Sequence, residues 1–160
     1  MSLDPPSDWR YDALYIMKLA STLALALFVL AGSLNAEKKI IQPKGSNPNA
    51  PYSPAVLVDG TLFVSGTLGV DPKTRKTPEK FEDEVHAALD SIGEILKEAG
   101  MNYSDVVSVQ VYLTDMDLFR QMNTVYTTYF KEQRPARTAV GVAKLASPTA
   151  HIEITVTAHH

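Results

Sequence analysis

Residues 55–64 read AVLVDGTLFV, two apolar runs on either side of Asp59-Gly60. Both central residues of a tight hairpin turn need positive φ, which Asp-Gly accepts at little cost, so the stretch predicts a β-hairpin of Ala55–Val58 and Thr61–Val64. Upstream, Ile40-Ile41 lie among lysines within 37–44 and read as a short edge strand. Residues 45–54 are rich in Pro, Asn, Ser and Gly, and read as a loop. Downstream, Ser65-Gly66 closes the hairpin and 66–77 reads as a loop. Thr77 as N-cap with Pro78 in the first helical position predicts a helix start. Phe81, Val85, Ala88, Leu89, Ile92, Ile95, Leu96 and Ala99 then recur at helical spacing, and Gly100 is placed to end the helix in the left-handed conformation.

Val106–Leu113 (VVSVQVYL) alternates and is β-branched, hence a strand. Thr114-Asp115 caps a second helix with the stripe Phe119, Met122, Tyr126 and Phe130, running to about Gln133 before Pro135. Thr138–Leu145 and His151–Ala158 read as two further strands. In the last one Ile152, Ile154, Val156 and Ala158 share one face, and His151, Glu153, Thr155 and Thr157 the other. The order β-β-β-α-β-α-β-β places the body in the α+β class, a mixed sheet with two helices on one face. Two helices cover one face only. The other carries Glu153 among Thr and His, and the second helix is rich in Tyr and Met, which favours a homo-oligomer over a solvated face.

The chain has 160 residues, 45% apolar and 21% charged, enough for one ordinary domain with a real core plus an extension. No cysteine is present, which excludes disulfides, thiolate metal sites and a cysteine nucleophile. The histidines His86, His151, His159 and His160 show no metal-ligand spacing. Net charge is −3 and the basic residues are dispersed, so nucleic acid is a poor partner.

The extension is residues 1–36. From Leu19 to Leu34 the chain is uncharged and apolar, Met17-Lys18 precedes it and Ser33-Leu34-Asn35-Ala36 closes it, with Ala36 as the small residue at the cut site. A basic start, an apolar centre and a small-residue cut site read as a secretory signal peptide cleaved after Ala36, and one reading of the unsuited residues before it starts translation at Met17. Residues 1–16 carry three acids and two prolines, the wrong flank for such a signal. A spanning helix wants about 20 apolar residues, so the expectation is export to the periplasm or outside, with no membrane span after cleavage; the alternatives are an uncleaved anchor, or a cytoplasmic protein where the segment is not a signal. Residues 37–160 are then the functional domain, with a net charge of −2.

Within that domain a few residues can carry chemistry. Arg137 enters a strand behind Pro135, and a guanidinium held there can fork onto a carboxylate. Glu153 sits between Ile152 and Ile154, where partial burial suits a carboxylate to acid–base work. Tyr52 is a loop aromatic, Asn123 an unfavoured residue inside a helix, and Ser65-Gly66 offer a hydroxyl and an amide at a strand end. Each alone is as readily a surface, packing or turn residue. No phosphate loop, metal motif or catalytic triad is present.

Taken together, residues 50–55 (APYSPA), Phe63-Val-Ser-Gly66 with Gly69 and 71–74, 106–117, Met122-Asn-Thr-Val-Tyr126, Arg134-Pro-Ala-Arg-Thr138 and His151-Ile-Glu-Ile154 resemble the YjgF/RidA family, in order, across about 38–158. The resemblance implies a chorismate-mutase-like fold and a homotrimer with ligand clefts between subunits. It also implies cofactor-independent hydrolysis of 2-imino acids such as 2-iminobutanoate and 2-iminopropanoate to 2-oxo acids and ammonia. By position, Arg137 matches the arginine that holds the substrate carboxylate and Glu153 the glutamate near the attacking water. Tyr52, Ser65 and Asn123 match pocket positions, and Gly66 matches the strand-end glycine beside the cleft. Where relatives often have Cys, Ser or Thr this chain has Ala139, and where many have Glu it has Gly141. The competing functions are a non-catalytic carboxylate-binding module and an endoribonuclease, an activity assigned to some family members.

Overall fold

A computed structural model describes residues 15–18, 37–71 and 74–160. The chain divides into two units, 1–36 and 37–160. Of the first only 15–18 are described, and they are helical; the expected signal peptide otherwise lies outside the described residues. Among the described residues no helix is long and apolar enough to cross a membrane.

The second unit is one mixed sheet with two helices. Its strands are β1 (Lys39–Ile41), β2 (Ala55–Val58), β3 (Thr61–Val64), β4 (Thr67–Leu68), β5 (Val106–Leu113), β6 (Ala136–Gly141) and β7 (Ile152–His159). The helices are α1 (Phe81–Glu98) and α2 (Phe119–Tyr129). The sheet order is β1-β2-β3-β7-β5-β6, with β4 continuing beside β7 where β3 ends. All neighbours are antiparallel except β5 and β6.

The β2–β3 turn has Asp59 at φ 48° and Gly60 at φ 70°, as its sequence demands. α1 ends on Gly100 at φ 77°, and Met101 N–H reaches back to Leu96 O at 2.8 Å. Its start departs from expectation. The helix begins at Phe81 behind Lys80, with no side-chain cap, because the Thr77 hydroxyl bonds Thr149 at 2.9 Å instead. α2 begins at Phe119 after a 3₁₀ turn, Met116–Leu118, which Asp115 caps, and it ends at Tyr129. The strand expected at 138–145 is Ala136–Gly141, set by its parallel register with Ser108–Leu113. β4 lies where only loop was expected; its two residues pair with Ile154 and Glu153.

The core lies between helices and sheet. Val85, Leu89, Ile92 and Leu96 of α1 and Met122 and Val125 of α2 are buried with Val109, Val111, Leu113, Ile152, Ile154 and Val156. In β5 both Val106 and Val109 are buried, three residues apart, because an irregular register between Val106 and Ser108 restores the face. The opposite face of the sheet carries Phe63, Gln110, Tyr112, Glu153, Thr155 and Thr157 at intermediate to full exposure.

Candidate active site

Arg137 pairs with Val109 and Ala139 with Val111 across the parallel β5–β6 ladder. Residues directly opposite in a sheet share a face, and Val109 and Val111 are buried under the helices. Arg137 therefore turns toward α2. Its guanidinium carbon lies 4.4 Å from the Tyr126 ring centroid and 5.6 Å from that of Phe119. Its Nη1 approaches the Met122 sulfur at 4.0 Å. Two rings and a thioether hold the charge by cation–π and polarisable contact. No acid pairs with Arg137 among the described residues, and the one ion pair found there joins Glu84 and His151. A half-buried guanidinium seated on rings and lacking a counter-charge is a hook for an anion.

Tyr126 is 4% exposed, and its hydroxyl makes no hydrogen bond of ordinary geometry among the described residues. Burial pushes the phenol's pKa above its ordinary value, and the Arg137 charge opposes that shift. Asn123 is half-buried on α2. At about 100° per residue it sits about 40° around the helix from Phe119, at the edge of the face that seats the arginine.

Glu153 belongs to the other side of the sheet, opposite Tyr112 on β5 and Leu68 on β4. A Cβ added to Gly66 would stand 1.8 Å from the Glu153 Oε1. Glycine is thus what lets the carboxylate lie against the main chain. Ser65 binds the neighbouring loop, its hydroxyl donating to Ser53 O at 2.7 Å and its amide to Pro54 O at 2.9 Å. That loop carries Tyr52, which is 64% exposed. A groove of about 340 Å³ is lined by Gly66, Tyr112, Val142, Lys144, Glu153 and Thr155. A larger hollow of about 1130 Å³ runs along α1 past His86 and Tyr129, and none of the six expected site residues lines it.

The six residues thus fall into two groups. Glu153, Gly66, Ser65 and the Tyr52 loop adjoin one another on the open face. Arg137 and the edge of α2 with Asn123 lie on the helix side. Registers put Arg137 and Glu153 two strands apart sideways and three residues apart lengthwise, a Cα separation of about 14 Å within the sheet, with the side chains on opposite faces. A single chain does not bring the two together.

Two features went unread in the sequence. The stripe Phe119, Met122, Tyr126 reads as an apolar helix face suited to an interface, yet it is also the seat of Arg137. Glu84 is fully buried. The available signal was its place on the apolar stripe of α1, three residues after Phe81 and four before Ala88.

The profile of the Endoribonuclease L-PSP family matches residues 44–160. A RutC family protein of Aquifex aeolicus is 40% identical over 123 residues, covering 76% of this chain and 98% of its own. A 2-iminobutanoate/2-iminopropanoate deaminase of Bos taurus is 47% identical over 96 residues, covering 59% of this chain and 70% of its own. The crystal structure of the YjgF gene product of E. coli superposes with a TM-score of 0.69 at 31% identity, covering 76% of this chain and 98% of that one. The match takes in most of the sheet and both helices, with Arg137, Glu153, Ser65 and Gly66 inside it, and the chain belongs to the YjgF/RidA family, whose profile bears the description Endoribonuclease L-PSP.

Proposed function

We propose that this protein hydrolyses 2-imino acids to 2-oxo acids and ammonia, without a cofactor, at sites shared between copies of a homotrimer. The observation that carries the reading is Arg137, a half-buried cation with two aromatic neighbours and no acidic partner among the described residues. A small carboxylate completes it. The open sheet face with Glu153 supports the shared site, because a second copy laid on that face can bring its own Arg137 to the groove. Family membership and the deaminase relative support the reaction class.

The chemistry asks little of the protein. A protonated imine is already electrophilic, so catalysis consists mainly of holding it beside a water. Arg137 fixes the carboxylate and Glu153 takes a proton from the water as its oxygen bonds to the imine carbon. The carbinolamine then expels ammonia with that proton and leaves the 2-oxo acid. Tyr52, Ser65, Gly66 and Asn123 shape the cleft around the side chain. RNA fits less well, since a net charge of −3 with dispersed bases offers phosphates no stripe. Export, with residues 17–36 as a cleaved signal and a periplasmic or secreted product, belongs to the same proposal. N-terminal sequencing of the mature protein tests it, and a product beginning at Met1 removes it.

The test of function is ammonia release from freshly generated 2-iminobutanoate. Arg137→Ala is expected to lose about 100-fold in kcat/KM, the scale of a lost charge-assisted fork. Glu153→Gln is expected to keep 2-oxo acid binding while turnover disappears. Equal rates for wild type and Arg137→Ala remove Arg137 from the mechanism. Ligand binding with no turnover in wild type leaves a binding module.

A further inference from the structure

Glu84 is the one buried charged residue among the described residues, and the proposed reaction does not use it. It stands in the first turn of α1, on the apolar stripe with Phe81, Val85 and Ala88. A carboxylate taken out of water is costly unless hydrogen bonds replace its hydration. Here Oε1 accepts from His151 N–H at 2.7 Å and Ile152 N–H at 3.2 Å, while Oε2 lies 2.8 Å from His151 Nδ1. All three contacts go to the two residues immediately before Glu153.

A second contact converges there. A Cβ on Gly69 would stand 2.1 Å from the Glu84 carbonyl oxygen and 2.4 Å from its Cγ. Glycine at 69 therefore lets the end of β4 press against the turn that carries Glu84. β4 in turn pairs Leu68 with Glu153, and Gly66 lies against the Glu153 carboxylate. One helical turn thus grips both chain segments that frame Glu153.

We infer that Glu84 is a positioning residue for Glu153, fixing the start of β7 and the β4 strip so that the carboxylate meets its water in one geometry. The turnover readout rests on the imine-hydrolase reading; the grip itself does not. A purely structural Glu84 predicts lost stability with kcat and KM altered together. A positioning role predicts a split, because Arg137, which sets substrate binding, stands on other elements.

The full-length chain is compared with Glu84→Met, Glu84→Gln and His151→Ala. Glu84→Met keeps the volume and removes the acceptor. It is expected to lower kcat about 10-fold or more, since small misplacements of a reacting group are costly, with KM within about twofold of wild type. Amide exchange at His151, Ile152 and Leu68 rises while that of Val109 and Val111 does not. Glu84→Gln restores kcat, because the amide oxygen still accepts from both N–H groups and the amide nitrogen donates to His151 Nδ1. His151→Ala retains the amide contacts and lowers kcat less than Glu84→Met. If Glu84→Met does not fold, Glu84→Asp, one methylene shorter, carries the same expectations. Wild-type kcat in the Met or Asp variant, equal changes in kcat and KM, or a Gln variant as poor as Met each overturn the inference. If the wild type shows no imine hydrolysis, the functional reading falls and exchange decides the grip alone. Acceleration confined to the two segments supports it, and uniform or absent acceleration overturns it.

Discussion

At the scale of single residues the molecule turns on a charge and a phenol. Arg137 stacks on Tyr126 at 4.4 Å, a contact of roughly 0.5–2 kcal/mol that fixes the guanidinium plane without neutralising it. A planar fork so held meets a carboxylate with two hydrogen bonds, whereas a lysine brings a flexible point charge. The arginine stacked on the ring leaves the buried Tyr126 hydroxyl with no hydrogen bond of ordinary geometry among the described residues, while its charge lies near enough to oppose the rise in the phenol's pKa. Such an orphan costs about 1–3 kcal/mol, and a phenylalanine keeps the ring while removing it. Tyr126→Phe is therefore expected to match or exceed wild-type stability in urea unfolding, by up to about 1 kcal/mol. Its pH dependence follows from burial, which raises the phenol's pKa in the folded state against the Arg137 charge. The unfolded phenol ionises near pH 10, at about its reference value. Below about pH 10 the phenol is neutral in both states and carries no ionisation penalty, and stability falls as pH rises from there toward the higher folded value. Tyr126→Phe should flatten that alkaline decline, and an unchanged slope would place the titration elsewhere, Tyr103 and Tyr129 also being raised by burial.

At the scale of elements the β3–β4 strip and β7 form the platform for Glu153, and glycine permits the contact. With Oε1 only 1.8 Å from where a Cβ at position 66 would stand, Gly66→Ala must displace the carboxylate. The expected result is a loss in kcat of about 100-fold, the cost of a misplaced reacting group, with a stability loss of only about 1–3 kcal/mol from overpacking. A variant with full kcat would show that Glu153 need not lie there. Much of this platform was legible in the sequence. Asp59-Gly60 fixed the hairpin by local turn chemistry, Gly100 ended α1 at positive φ, and the two faces of β7 followed from its alternation. What stayed hidden depends on distant partners. β4 exists because Ile154 and Glu153 pair with it, Thr77 gives its hydroxyl to Thr149 rather than to a helix cap, and β6 takes its limits from β5. Glu84 broke an apolar stripe, but nothing near it in sequence says that main-chain amides 67 residues away satisfy it.

At the scale of the whole molecule the proposed site is divided within a single chain. Arg137 faces the helices from the edge strand β6, and Glu153 faces the uncovered side from β7. Their Cα separation of about 14 Å within the sheet, with side chains on opposite faces, exceeds what the proposed substrate, an imino acid of a few carbons, can bridge. A closed ring of three copies solves this if each contact is head-to-tail, so that every site takes its arginine from one copy and its glutamate from the next. Such sharing has a signature that a self-contained site lacks. Arg137→Ala and Glu153→Gln homotrimers should each be inactive. Refolded together in equal amounts they form mixed rings, each with one junction where an intact arginine meets an intact glutamate. Random assembly leaves three-quarters of rings mixed with one good site in three, so about a quarter of wild-type activity returns. Unmixed controls fix the baseline, and sedimentation confirms that the recovered activity travels with the trimer. No recovery despite demonstrated subunit exchange would place both groups within one chain's own reach and require Arg137 or β6 to move. Recovery near one quarter would show that the site is made by assembly, with the lone arginine and the open sheet face as its two sides.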